Sequence, residues 1–141
     1  MLRNVSYNDP KLRAEIDRTV GLPYSLIERF KKKGIGSSKL FVKQTSKEIH
    51  ALYALDHNNN SCNIEMRPKG IILRFRSLLE TYALVIPYYK LQLYKGEAES
   101  YTVYMDHHFL RIMARSASDH AFFRKILKEK AAQAPPSIED L

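Results

Sequence analysis

Cysteine occurs once in the 141 residues, as Cys62, so an intramolecular disulfide is impossible and an oxidising compartment is not suggested. No window holds the roughly eighteen consecutive apolar residues that a membrane-spanning helix requires. The opening segment, "MLRNVSYNDPKLRAEIDRTVG", has neither the apolar stretch nor the small-residue cleavage site of a secretory leader. These absences lead to the expectation of a soluble, cytoplasmic chain, at most peripheral to a membrane. Catalytic and metal signatures are missing as well. There is no GxSxG, P-loop, GxGxxG, HExxH or CxxC spacing, and a cysteine with a distant histidine is a pairing that almost any chain supplies. No enzyme activity, cofactor or metal is therefore expected.

What is present is the composition of a folded domain. Apolar residues make up 45% and charged residues 27%, which places the chain among globular rather than disordered sequences. The length fits one ordinary domain with a core of its own. Net charge is +8, a sign that favours anionic partners, whether lipid headgroups or nucleic acid. The excess is concentrated early: residues 1–39 carry nine Lys/Arg against four Asp/Glu, and residues 40–141 fourteen against eleven.

Two short helices are expected first. Asp9-Pro10 is a capped start, Leu12, Ile16 and Val20 recur at helical spacing, and Gly21 ends the run. A second start at Leu22-Pro23 leads to the stripe Leu26, Ile27 and Phe30, with Lys31, Lys32 and Lys33 at the end where cations complement the helix dipole. From Leu40 the period changes to two. The segments "KLFVKQ", "EIHALYAL", "CNIEMR", "GIILRFR", "TYALVIP", "YYKLQLY", "SYTVYMD" and "HFLRIMA" read as strands, punctuated by polar turns at residues 56–61, 67–70 and 95–98. Ser118-Asp119 then caps a helix with Ala121, Phe122, Ile126 and Leu127 on one face. The expected organisation is a helical segment at 1–38, a β domain with its closing helix at 39–134, and a flexible tail at 135–141.

About seven antiparallel strands followed by one amphipathic helix resembles the pleckstrin-homology-like split barrel, and "GIILRFRSLLETYALVIPYYKL" is similar to the local pattern of its bacterial members. The resemblance spans residues 40–133 and leaves residues 1–39 outside the family unit. It implies a mainly β, α+β fold in which the helix plugs one end of a bent sheet. For function it implies docking, to membranes or to other proteins.

The stretch "RPKGIILRFR" holds the basic candidates. In family members that bind phosphoinositides, a lysine near a hairpin and a later basic-x-Arg group converge on phosphate, and Lys69, Arg74 and Arg76 match that spacing loosely. Strand alternation alone puts Ile72, Arg74 and Arg76 on one face, so a solvated outer face is the simpler expectation. For the second helix the simpler expectation is that Leu26, Ile27 and Phe30 pack on the barrel with the lysines in water.

His107 and His108 are expected on opposite faces of one strand, a poor pair of ligands. Asp106 beside His107 reads as turn chemistry. The nine tyrosines offer stacking surfaces, but no RNA-binding motif accompanies them.

The reading is therefore a non-catalytic binding or adaptor domain. Its first mode is binding to a protein, or to another copy of this chain, through a barrel edge or through Leu26, Ile27 and Phe30. The alternative is peripheral binding to anionic lipid through Lys31, Lys32, Lys33, Lys69, Arg74 and Arg76.

Overall fold

The computed structural model describes residues 1–55 and 60–133. The tail expected at 135–141 lies outside the described residues, as does most of the polar turn expected at 56–61. Element order is β1 (Leu2–Asn4), α1 (Pro10–Val20), α2 (Leu26–Lys31), β2 (Leu40–Thr45), α3 (Lys47–Ala54), β3 (Ser61–Arg67), β4 (Gly70–Ser77), β5 (Glu80–Pro87), β6 (Gln92–Lys95), β7 (Ser100–Met105), β8 (His108–Met113) and α4 (Ala117–Ala132). This is an α+β fold with an eight-stranded antiparallel sheet in the order β1-β5-β4-β3-β2-β8-β7-β6.

Local chemistry explains the helix starts. Asp9 accepts from the backbone N–H of Lys11 at 3.0 Å, and Pro10 opens α1, since its missing N–H would be unpaired there anyway. Gly21, at φ 90°, ends it. Helix α2 begins later than the expected Leu22-Pro23 start: Ser25 and Glu28 form a reciprocal capping box, with Ser25 Oγ accepting from Glu28 N at 3.2 Å. Likewise Ser116, two residues before the expected cap, starts α4.

Three elements depart from expectation. "EIHALYAL" is helical, not extended. Ile49 and Tyr53, four residues apart, are both buried on one side of α3, and Tyr53 stacks on Phe75 with ring centroids 4.9 Å apart. The i, i+4 pair outweighs the β-branched and aromatic content that suggests a strand. Strand β1 is not signalled in the sequence at all, since three residues carry no period. It pairs with β5 through Leu2↔Leu84 and ends the sheet. The segment "YYKLQLY" is also shorter as a strand than expected, because Tyr88–Lys90 turns before β6 starts.

One face of the sheet wraps a single core. Ile71, Leu73, Leu84 and Ile86 from one half share a cluster with Leu93, Val103, Leu110 and Ile112 from the other, and α4 adds Phe122, Phe123 and Ile126. The ring of Phe123 stacks on Tyr101 at 4.3 Å, so a fully buried residue that seats α4 is one the expected helical face omitted. The sheet does not close. Among the described residues β5 and β6 share no ladder, and β1 and β6 form its two ends.

The reverse face is covered over β4 and β5. Val20 of α1 packs with Ile72, Ala83 and Val85, all fully buried. Ile72 is thus not part of a solvated outer face; α1 removes it from water. Gly70 makes this close approach feasible: a Cβ there would run into the Ile86 carbonyl oxygen and lie 2.7 Å from Val20 Cγ1 and 2.8 Å from Pro87 Cα. Gly70→Ala is expected to destabilise the protein by about 3 kcal/mol, an overpacking cost, read as a lower denaturation midpoint at unchanged slope.

Candidate functional site

The basic residues of "RPKGIILRFR" fall into three environments. Arg67, at the end of β3, is 6% exposed and ties the sheet to α1. Its Nη1 donates to Asp17 Oδ1 at 3.1 Å and to the Gly21 carbonyl at 2.8 Å, and its Nε to Glu65 Oε2 at 2.5 Å. Arg74, half-exposed, donates to the other Glu65 oxygen at 2.7 Å. Lys69 lies at the hairpin tip and lines a different cleft from Arg74, while Arg76 is exposed further along β4. Lys69 thus lies apart from Arg74 in the clefts they line, and Arg74 is engaged by Glu65.

Burial would raise the Glu65 carboxyl, but hydrogen bonds and charge from Arg67 and Arg74 outweigh it and hold the group below the usual carboxylate value of 4.5. A carboxylate depressed in the folded state contributes stability above its unfolded value, and that contribution is lost as pH falls through the folded value. Stability is accordingly expected to decline below about pH 4.5 in part through Glu65, with a shallower decline in Glu65→Gln, read by denaturation at stepped pH. Arg67→Ala leaves Asp17 without its ion-pair partner and Glu65 with Arg74 alone, and is expected to cost about 3 kcal/mol, read as a lower denaturation midpoint.

Helix α2 reverses the packing expectation. Leu26 is 81%, Ile27 69% and Phe30 86% exposed, and Leu22 beside them is exposed too. What holds α2 to the domain is its other side. Tyr24 is buried, and Arg29 Nε donates to the Tyr24 carbonyl at 3.1 Å. Lys125 of α4 donates to the carbonyls of Lys32 and Gly34, each at 3.0 Å, capping the end of α2 with a cation where the dipole favours one. Lys32 pairs with Glu129 at 3.4 Å and sits over the Tyr24 ring at 5.0 Å. Of the three lysines, Lys32 therefore serves the scaffold. Lys31 and Lys33 are exposed beside the apolar stripe. Tyr24, Lys125 and Glu129 were not singled out by sequence, because their role depends on α2 and α4 meeting across roughly a hundred residues.

An open cleft of about 1120 Å³ lies where α1, the end of β5 and α4 meet, lined by Arg18, Lys69, Tyr88, Tyr89, Leu127 and Lys130 among others. Lys130 Nζ is engaged by the Tyr88 carbonyl at 2.9 Å. The Tyr88 hydroxyl is buried with no hydrogen-bond partner among the described residues, and burial raises its pKa.

The histidine expectation needs correcting. His107 stands in the turn between β7 and β8, and His108 opens β8, so strand alternation does not apply to the pair. Their rings lie 4.1 Å apart. Glu48 of α3 joins them, with Oε1 3.2 Å from His107 Nε2 and Oε2 4.0 Å from His108 Nε2. Burial, with His107 adding to it, holds His108 below the usual imidazole value against the opposing pull of Glu48. Asp106, at φ 54°, is a turn residue. Cys62 is buried, which raises its thiol pKa and keeps it away from thiolate chemistry. Of the tyrosine cluster, Tyr88 and Tyr101 belong to the core, whereas Tyr89 and Tyr94 face out.

No family model, curated protein or solved structure matches this chain.

Proposed function

We propose that this protein is a non-catalytic docking module, a pleckstrin-homology-like split barrel that carries α2 as its contact element and binds anionic membrane surfaces. The carrying observation is the outward stripe of Leu26, Ile27 and Phe30 on a helix whose opposite side is pinned by Tyr24, Lys32 and Lys125. A folded chain ordinarily buries such a stripe; here the scaffold spends its polar contacts holding it outward.

The seven strands from β2 to β8, the unpaired β5–β6 junction and the following α4 support the barrel reading. Helix α3, between the first two of those strands, departs from the simple element order. No helix among the described residues is long and apolar enough to cross a membrane, so the contact envisaged is with the surface alone.

Membrane is favoured over protein as the occupant on size and charge. Four exposed apolar side chains fall short of the roughly 800 Å² per partner that a stable protein interface buries. They suffice for a wedge entering about 5–10 Å into the headgroup region. Lys31 and Lys33 flank them, and the protein as a whole is basic. Pairing through a barrel edge has less support, because the end strands β1 and β6 have three and four residues.

Co-sedimentation with phosphatidylserine-containing and neutral vesicles at low and high salt tests this. Binding is expected to the anionic vesicles, weakening with salt. Lys31→Gln with Lys33→Asn is expected to lower affinity about thirtyfold at about 1 kcal/mol per charge, asparagine being chosen because residue 33 has φ 59°. Phe30→Ser is expected to lower it about tenfold or more. Absence of binding at low salt would exclude the membrane reading, and a Phe30-dependent dimer in sedimentation would replace it with self-association.

A further inference from the structure

We propose that Glu48, His107 and His108 form a binding site for a divalent transition-metal ion, zinc foremost. The proposal is independent of the docking role of α2.

One donor atom from each of the three side chains lies within 4.8 Å of the others. Three donors placed about 2.1 Å from zinc in tetrahedral directions are about 3.4 Å apart. The Glu48 carboxylate reaches the two rings through different oxygens, Oε1 at 3.2 Å from His107 Nε2 and Oε2 at 4.0 Å from His108 Nε2, and its exposed side chain can turn one oxygen toward both. The remaining closure falls to His107, whose exposed ring is free to rotate. Two imidazoles and one carboxylate are a donor set suited to zinc, and three protein ligands leave a position for water or an incoming anion.

The cluster is also built, not merely adjacent. Ser46, just before α3, accepts from Phe109 N at 3.0 Å and donates its own N–H to the Phe109 carbonyl at 2.9 Å, which locks the first turn of α3 to β8. Glu48 lies in that first turn and His108 in the locked strand. His108 is 6% exposed, and its Nδ1 has no hydrogen-bond partner among the described residues. Burial holds the ring in place, and the nitrogen it turns toward Glu48 is Nε2, at 4.0 Å from Oε2. Near the cluster, Asp106 is directed instead to Lys90 at 3.8 Å.

A bound ion would pin α3 to the β7–β8 hairpin. Because it would bind the folded state alone, it raises thermal stability by mass action.

The test uses the full chain without a histidine tag, titrated with cobalt(II) chloride and followed by visible absorption, then with zinc chloride. Saturable ligand-field bands at a single equivalent, bleached by zinc, are expected. Zinc about a hundredfold above its dissociation constant is expected to raise Tm by about 5–10 °C. His107→Ala and Glu48→Gln alter exposed side chains, so both should fold as the parent does by circular dichroism, and each is expected to weaken cobalt binding about tenfold or more. His50→Ala, an exposed histidine of α3 outside the cluster, is expected to bind as the parent does. Absence of saturable bands would overturn the site, and so would unchanged binding in both His107→Ala and Glu48→Gln.

Discussion

The buried guanidinium of Arg67 is the contact through which the N-terminal third of the chain takes its position. It joins Glu65 on the sheet to Asp17 and to the Gly21 carbonyl at the end of α1. A cation taken out of water is stable only when its donors are matched, and here the partners come from both elements, Glu65 from the sheet and Asp17 with the Gly21 carbonyl from α1. With the end of α1 fixed, Val20 is pressed onto Ile72 and Gly21 against Pro68. Beyond Gly21, Tyr24 enters the core only two residues before Leu26 opens the outward stripe. The orientation of α2 is thus set upstream by an ion pair and downstream by Lys125 of α4.

Three regions with different chemistry share this scaffold. The inner face of the sheet and α4 are apolar and closed to chemistry. The back of the sheet is divided between α1 packing and the Arg67–Glu65–Arg74 network. The groups free to meet a partner lie at the periphery: the α2 stripe, the cleft beside Tyr88 and Tyr89, and the Glu48–His107–His108 cluster. Rigid centre and available edge is the division expected of a binding module.

Much of the secondary structure was legible because its signals are local. Asp9-Pro10, the alternation of "GIILRFR" and the Gly-containing hairpin at residue 70 each act within a few residues. Helix α3 was not, since Ile49 and Tyr53 satisfy strand composition and helix spacing together, and only burial of both in the core decides between them. Strand β1 was invisible for want of length. The site residues divide in the same way. Leu26, Ile27 and Phe30 were recognisable as a stripe, yet their exposure depends on α4, about a hundred residues away. Arg67 was recognised only as part of a turn, although its charge is neutralised by Asp17 across fifty positions. The histidine pair was misjudged because both residues were assigned to one strand, whereas His107 lies in the turn before β8 and alternation holds only inside a strand.

Anchoring α2 by its carbonyl end has an entropic consequence. A loose amphipathic segment loses backbone freedom when it docks, and that loss subtracts from whatever its side chains gain. In this protein the ordering is completed during folding: the capping box of Ser25 and Glu28 fixes one end of α2, and Lys125 the other. Leu26, Ile27 and Phe30 are therefore presented as a preformed wedge, which lets so short a helix retain most of the hydrophobic free energy of whatever surface it meets.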